Sequence, residues 1–259
     1  MLITESLFRE KGKRRFNFNR NLGQFCVVLT MFLSNTALAQ SKLKQTLNTG
    51  SVAAWKTFLS GSNVSLQGRK VYREIIPGYF EESVEIREDT GRNRSVDQHI
   101  NLLIHEGHII AWAINRPTIV RHQAENTDSF ISNKDFNLFK NAFKTKYKVE
   151  FNKQYLFENT VFSLNLCGND GGETVEYQQL EMIMQHKNVS VLQTWLRSAN
   201  VEKQLYAIYA FDQYEQMKIP IDDETSVIIN YVRHKDGNIN SCSGCLFSSR
   251  KIADAFKPF

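Results

Sequence analysis

The sequence predicts an α+β fold, in which a mainly antiparallel N-terminal part is followed by an all-α segment of HEAT-like helical hairpins. Residues 66–166 contain short runs in which apolar and polar residues alternate, as they do in half-buried strands. The glycine-rich stretch CGNDGGE at 167–173 interrupts this pattern. From residue 174 onward, apolar residues recur every three or four positions, which is the spacing of amphipathic helices.

The first 39 residues predict a secretory signal peptide. A basic stretch is followed by the short apolar run FCVVLTMFL at 25–33 and by small residues that end at Ala39. This order is typical of a leader that is cleaved between Ala39 and Gln40. The apolar run is far shorter than the roughly 20 residues that a membrane-spanning helix needs, and an uncleaved N-terminal anchor is the alternative. We therefore expect an exported protein, periplasmic or extracellular.

Net charge argues against a nucleic-acid partner. The whole chain has 32 basic and 27 acidic residues, and the leader holds six of the basic and two of the acidic ones, which leaves 26 against 25. So small an excess gives no basic footprint for nucleic acid or for an anionic membrane surface. We expect no nucleic-acid partner and, after cleavage, no membrane span.

The predicted α+β domain, 40–166, combines helices with paired strands. Apolar residues at helical spacing predict one helix within 40–65 and another at 133–147, and the alternating stretch ESVEIRE at 82–88 predicts a strand. Apolar runs on both sides of Glu106-Gly107 predict a β-hairpin, because a two-residue turn with glycine commonly connects paired strands. The stretches KVEF and TVFSLNL, which follow the second helix, are expected to be further strands.

The predicted helical domain, 174–259, follows a connecting loop at 167–173. Asparagine or aspartate precedes three of its apolar-periodic stretches, as is typical of helix N-caps. These marks predict helices at about 174–186, 189–198, 201–217 and 223–234. The connections are short, so neighbouring helices should be antiparallel and form helical hairpins. Apolar residues from Phe247 onward predict a last short helix that docks on the others.

Three cysteines, Cys167, Cys242 and Cys245, remain after the leader is removed. Export favours disulfides, and the odd number leaves one thiol without a partner in the chain. A Cys242–Cys245 bridge closes a short loop and stabilises by only about 2 kcal/mol, whereas a bridge from Cys167 to either cysteine contributes about 4–5 kcal/mol. Proximity along the chain favours the short bridge kinetically. We expect Cys242–Cys245, with Cys167 buried or free, and the long bridge is the alternative.

The C-x-x-C spacing of Cys242 and Cys245 also suggests redox chemistry or zinc. A redox site needs a depressed thiol pKa at a helix N-terminus, but no β-α-β unit leads into the pair. Zinc would need two more ligands, for which Cys167 and His234 are available, but exported thiols usually oxidise. A structural role is therefore the favoured interpretation, and no metal or cofactor is predicted.

Two other motifs are explained by turns. HEGH at 105–108 places its histidines three residues apart across the predicted hairpin tip, whereas a metal-binding H-E-x-x-H needs them one helical turn apart. The glycines of CGNDGGE are typical of a loop, since a phosphate cradle also wants a cation and this stretch has none. No nucleophile, base and acid can be singled out as a catalytic set.

Three features together resemble a group of uncharacterised exported bacterial proteins. These are Cys167-Gly168 after a predicted strand, the pattern L-x-x-W-L-x-S-x-N-x-E-x-Q-x-Y-A from Leu192 to Ala207, and C-S-G-C-L from Cys242 to Leu246. The resemblance covers about 165–256. It implies a bacterial, exported protein, and it carries no catalytic residue to this chain.

These observations predict a non-enzymatic binding or interaction protein outside the cytoplasm. The helical hairpins would supply the surface, and the expected partner is a protein or an envelope component. The alternative is an enzyme, a thiol–disulfide exchange protein that uses Cys242 and Cys245.

Overall fold

The computed structural model describes residues 42–91, 94–117, 124–168 and 171–257. The predicted leader and its cleavage site between Ala39 and Gln40 lie outside these residues. Within them, no helix is both long enough and apolar enough to cross a membrane.

Two short helices precede a five-stranded sheet. Helix α1 covers 42–48 and α2 covers Val52–Leu59. The strands are antiparallel and follow one another in the order in which they occur along the chain. They are β1 (Val64–Ile76), β2 (Tyr79–Gly91), β3 (Arg94–His105), β4 (His108–Pro117) and β5 (Ala124–Ile131). The strand predicted at 82–88 lies within β2.

The hairpin predicted around Glu106-Gly107 is confirmed. His105 pairs with His108, and the two residues between them have positive φ angles of 49° and 79°. Two positive φ values give the turn the same twist as the strands that it joins, which explains why such turns dominate hairpins.

Five α-helices follow β5 in the described part of the chain. They are α3 (Asn133–Tyr147), α4 (Val175–Gln185), α5 (Val189–Leu196), α6 (Val201–Gln216) and α7 (Asp223–Arg233). The predicted N-caps are confirmed: the side chains of Asn188, Asn200 and Asp222 each accept a hydrogen bond from a backbone N–H in the first helical turn. Helix α6 is buried along most of its length. The HEAT-like arrangement of these helices stays a prediction.

Each face of the sheet packs against helices. Leu102 belongs to an apolar cluster with α1 and α2, whereas its neighbour Leu103 belongs to a cluster with α3, because successive side chains of a strand point to opposite faces. The second cluster also includes buried residues of α4, α5, α6 and α7. One apolar core therefore combines side chains from both of the predicted domains, whose boundary at 167–173 stays a prediction.

The C-terminal helix predicted from Phe247 is wrong. The chain forms a second hairpin instead, with strands β6 (Asn238–Ser243) and β7 (Leu246–Lys251) and a 3₁₀ turn at Ile252–Asp254. Ser243 pairs with Leu246 across a two-residue turn that begins with Gly244 at φ 56°. A tight turn of this kind favours paired strands over a helix. The C-terminal segment is thus not all-α.

The second hairpin lies against β1. Gly237 forms a bridge with Arg73, and the backbone N–H of Tyr72 donates to Asn238 Oδ1 at 2.8 Å. The stretch TVFSLNL is not a regular strand, but Phe162 forms a single parallel bridge with Ser241 of β6. KVEF likewise forms no strand. Both predictions depend on apolar content alone, which does not ensure a pairing partner.

Candidate functional site

The sheet face that packs against α3 changes from apolar to polar along its strands. On β3, Leu103 joins the apolar core, and the next two residues on the same face are Asn101 and His99. On β2, Ser83 lies directly opposite Asn101, and Glu85 lies directly opposite His99. The antiparallel register therefore brings four hydrogen-bonding side chains together within two adjacent pairs.

These four residues and Arg69 form what we call the polar cluster. His99 Nε2 lies 2.7 Å from Ser83 Oγ and 3.2 Å from Asn101 Oδ1. On the other side of the ring, His99 Nδ1 lies 3.7 Å from Glu85 Oε1. Ser83 and Asn101 are buried, at 7 % and 2 % exposure, whereas half of the Glu85 side chain is exposed. The cluster thus extends from the interior to the surface.

The hydrogen bonds of the cluster leave one atom of Asn101 without a partner. Its Nδ2 is buried and has no hydrogen-bond partner among the described residues. In this orientation His99 Nε2 donates its proton to Asn101 Oδ1. If His99 Nε2 instead accepts the Ser83 hydroxyl proton, the Asn101 amide must be turned so that Nδ2 faces the ring. Its Oδ1 then takes the position that lacks a partner. Either orientation leaves a buried polar atom unpaired.

The guanidinium group of Arg69 adds a positive charge to the polar cluster. It lies in the irregular part of β1 between Gln67 and Lys70, and its Nη1 is buried without a partner among the described residues. Desolvation lowers the pKa of Arg69, and the charges of Glu85 and Glu202 oppose that shift. The pKa of Glu85 is lowered, chiefly by its interaction with His99. Glu85 therefore stays ionised beside both basic side chains.

A serine, a histidine and a glutamate in a row resemble the order of an acyl-transfer site. A nucleophile also needs backbone donors for the oxyanion, and in most such sites its own N–H is one of them. Ser83 lies in the middle of β2 and pairs with Val71 on one side and Asn101 on the other, so its backbone belongs to the sheet ladder. The distance of 3.7 Å between His99 and Glu85 also exceeds a hydrogen bond. The arrangement is better suited to binding.

The cysteines pair differently from the expectation. Cys167 is bonded to Cys242, with their Cα atoms 5.6 Å apart, and Cys245 is free and exposed. The expected Cys242–Cys245 bridge is therefore wrong, and the long bridge is the one formed. The second hairpin explains this pairing. Gly244, at the turn of the hairpin, forms a parallel β-bridge with Cys167, and this β-bridge brings Cys242 close to Cys167.

His105 of HEGH makes ordinary turn contacts. His105 Nδ1 is 2.9 Å from the carbonyl oxygen of Gly78, and its ring stacks on Tyr79 at 4.0 Å between centroids. His234, the other residue considered as a zinc ligand, is hydrogen-bonded to the Asn230 carbonyl oxygen. In the described ranges, no three residues among histidine, cysteine, aspartate and glutamate are grouped so that they could hold a metal.

A second set of charged residues is buried between β1 and α6. Arg73 Nε donates to Glu81 at 2.8 Å, and its Nη1 contacts Glu202. Nearby, Lys235 Nζ donates to the Ile75 carbonyl oxygen at 2.6 Å and to Gln204 Oε1 at 2.9 Å. Arg73 is paired on both sides, and Lys235 is bonded to backbone and amide oxygens. We interpret this set as a structural link between sheet and helices.

Comparison with known proteins identifies no relative. The chain matches no protein-family model, and neither a curated protein sequence nor a solved structure matches it.

Sequence reasoning missed the polar cluster. Its signal is present in the alternation of β2, where Ser83 and Glu85 are two residues apart and share a face. The partner residues on β3 follow only from the register of the β2–β3 pair, and the sequence alone does not determine that register. The three cysteines, in contrast, are candidates by sequence and are brought together, although with a different pairing.

Proposed function

We propose that this protein is an exported, non-enzymatic binding protein whose ligand contacts the polar cluster. The observation that carries the proposal is that two buried polar atoms of this one cluster, Arg69 Nη1 and Asn101 Nδ2, have no partner among the described residues. Leaving a buried polar group unpaired costs about 1–3 kcal/mol, so such a group in a folded protein calls for a water or a ligand as partner.

The chemistry of the cluster favours a small ligand that bears hydroxyl groups. Arg69 Nη1 needs an acceptor, and the Asn101 amide presents a donor or an acceptor according to its orientation. A hydroxyl group both donates and accepts, so a sugar or another polyol matches both groups. The half-exposed Glu85 is where the cluster reaches the surface.

The rival function is thiol–disulfide exchange catalysed by Cys242 and Cys245. Such a catalyst needs the two thiols of the C-x-x-C motif as a pair, with the attacking one accessible. Cys242 is 1 % exposed and is bonded to Cys167, so the motif holds a single free thiol. This pairing favours a structural disulfide, which is also the form that an oxidising compartment maintains.

Thermal unfolding with a panel of monosaccharides and polyols tests the binding function. A sugar present at ten times its Kd should stabilise the folded state by about 1.4 kcal/mol, which corresponds to a rise in Tm of about 3–5 °C. The rise should disappear in Asn101→Leu. It should persist in Asp97→Asn, because Asp97 lies on the same sheet face but bonds Arg87, outside the cluster.

Two results would contradict the proposal. A panel that leaves the Tm of the wild-type protein unchanged would exclude a hydroxyl-bearing ligand, and a shift that persists in Asn101→Leu would place the ligand elsewhere. Reduction of insulin by dithiothreitol in the presence of the protein tests the rival. Acceleration that is lost in Cys242→Ser would replace binding by catalysis as the function.

A further inference from the structure

All three mature cysteines meet at the turn between β6 and β7. Gly244 bridges Cys167, and the backbone N–H of Gly168 donates to the Gly244 carbonyl oxygen at 2.9 Å. The free Cys245 thiol points to the Gly168 carbonyl oxygen, with 3.8 Å between the sulfur and oxygen atoms. A free, exposed thiol thus lies at the same turn as a disulfide, three residues along the chain from Cys242.

The two sulfurs of the disulfide differ as leaving groups. Cys242 is buried at 1 % exposure, whereas Cys167 is half-buried. A thiolate is stabilised by water, so expulsion of the Cys167 sulfur is easier than expulsion of the Cys242 sulfur. Attack by Cys245 at Cys242 Sγ, with Cys167 as the leaving group, is therefore the favoured direction, and it requires local opening that uncovers the buried Cys242 sulfur.

We propose that Cys245 is a resolving thiol that moves the disulfide from Cys167–Cys242 to Cys242–Cys245 and back. The Cys245 thiolate attacks Cys242 Sγ, a sulfur–sulfur bond forms between these two residues, and the bond to Cys167 breaks. The electron pair leaves with the Cys167 sulfur, which takes up a proton. One disulfide and one thiol are present before and after, so no oxidant or reductant is consumed. The exchange does not depend on the proposed ligand.

The two pairings correspond to two states of the chain. The Cys167–Cys242 bond joins residues 75 apart in sequence and ties the segment before α4 to the C-terminal hairpin, whereas Cys242–Cys245 lies within one turn. In a chain without tertiary structure, loop entropy favours the short bridge by about 80-fold. Native contacts such as the Cys167–Gly244 bridge favour the long one. When these contacts loosen, the disulfide therefore shifts to Cys242–Cys245. The C-terminal hairpin is then no longer joined covalently to the segment before α4.

Disulfide mapping after acid quenching tests the exchange. The oxidised, full-length mature protein is incubated without oxygen or added thiol at about pH 8.5, near the ordinary thiol pKa, in buffer and in urea below the unfolding transition. It is then quenched with acid, alkylated in acidic denaturant and digested. The alkylated cysteine should be Cys245 at the start, and a fraction alkylated at Cys167 should appear and grow with urea. In concentrated guanidinium the Cys242–Cys245 bridge should predominate over the Cys167–Cys242 bridge by about 80-fold.

Two variants and one dilution control decide the outcome. Cys245→Ser should keep the Cys167–Cys242 bond throughout, and Cys167→Ser should form the Cys242–Cys245 bond when oxidised, which shows that the turn accommodates it. The rate should not change on tenfold dilution, because the step is intramolecular. The inference is overturned if Cys167 stays unalkylated in the folded protein at every urea concentration, if Cys167→Ser leaves two free thiols, or if dilution slows the exchange.

Discussion

At the scale of single residues, Gly237 is a position where the backbone tolerates no side chain. A Cβ atom there would lie 2.3 Å from the Tyr72 carbonyl oxygen and 2.4 Å from Arg73 Cα, and the φ angle is +116°. Neither neighbour is a flexible side chain, so β1 and the start of β6 would have to separate. Gly237 thus sets the close contact between the second hairpin and the sheet.

We predict that Gly237→Ala lowers the free energy of unfolding by about 3–5 kcal/mol, because backbone strain and steric overlap add. Gly107→Ala is the matched control. It also has a positive φ, at +79°, but a Cβ atom added there would have no neighbour within 4 Å, so only the left-handed strain of about 1–2 kcal/mol applies. Urea denaturation of both variants checks the difference. Equal losses of unfolding free energy in the two variants would show that steric overlap with β1 does not add to the cost of Gly237→Ala.

At the scale of elements, the sequence is informative where a local rule decides the structure. The three N-caps and the Glu106-Gly107 hairpin follow from side chains within a few positions of one another. The C-terminal hairpin and the polar cluster depend on contacts between distant parts of the chain. Phe247, for example, fits a helical stripe by spacing, but it pairs with Cys242 because β6 is aligned by β1 and by the segment around Phe162. Such alignment has no local signal.

Lys235 links three elements, and its burial predicts a pH dependence of stability. It lies between α7 and β6, and its ammonium donates to Ile75 of β1 and to Gln204 of α6. Burial away from water lowers the pKa of Lys235 well below its ordinary value of 10.5, and the charge of Glu74 opposes this only in part. Between the folded pKa and 10.5 the unfolded chain binds the extra proton, so the contribution of Lys235 to stability increases as the pH rises.

Relative to the wild type, the Lys235→Met variant should be most stable at low pH. The free energy of unfolding of the variant relative to wild type should fall by up to about 1.4 kcal/mol per pH unit across that window, and level off above the ordinary lysine pKa. Urea denaturation from about pH 6 to about pH 11, a range that brackets that pKa, measures it. Lys56→Met, which removes an exposed lysine of α2, is the control. A difference for Lys235→Met that is constant with pH would mean that the buried amine keeps its ordinary pKa.

At the scale of the whole molecule, one core connects segments that the sequence separates. The glycine-rich stretch at 167–173 marks a change of secondary structure, and composition alone predicts a domain boundary there. Buried residues from strands of the sheet and from α4–α7 nevertheless belong to one apolar cluster. The Cys167–Cys242 bond adds a covalent tie between the end of the first segment and the C-terminal hairpin. Both features couple the stability of the two segments.

We predict that replacing Cys167 and Cys242 together by serine lowers the free energy of unfolding by about 4 kcal/mol. The bond joins residues 75 apart, and its loss returns the conformational freedom of that long loop to the unfolded chain. Cys245→Ser should change the value by less than about 0.5 kcal/mol, because Cys245 is exposed and outside the disulfide. Urea denaturation of the oxidised proteins at neutral pH provides the comparison.

The same titrations decide whether the two segments unfold together. Two of the three tryptophans, Trp55 and Trp112, are buried in the cluster on the α1–α2 face of the sheet, so fluorescence follows mainly the N-terminal part, whereas far-UV circular dichroism follows the helices. A shared core predicts coincident transitions by both probes, in the wild type and in the double serine variant. Transitions that separate only in the variant would assign the coupling to the disulfide. Transitions that separate in the wild type as well would establish 40–166 and 174–259 as independent domains.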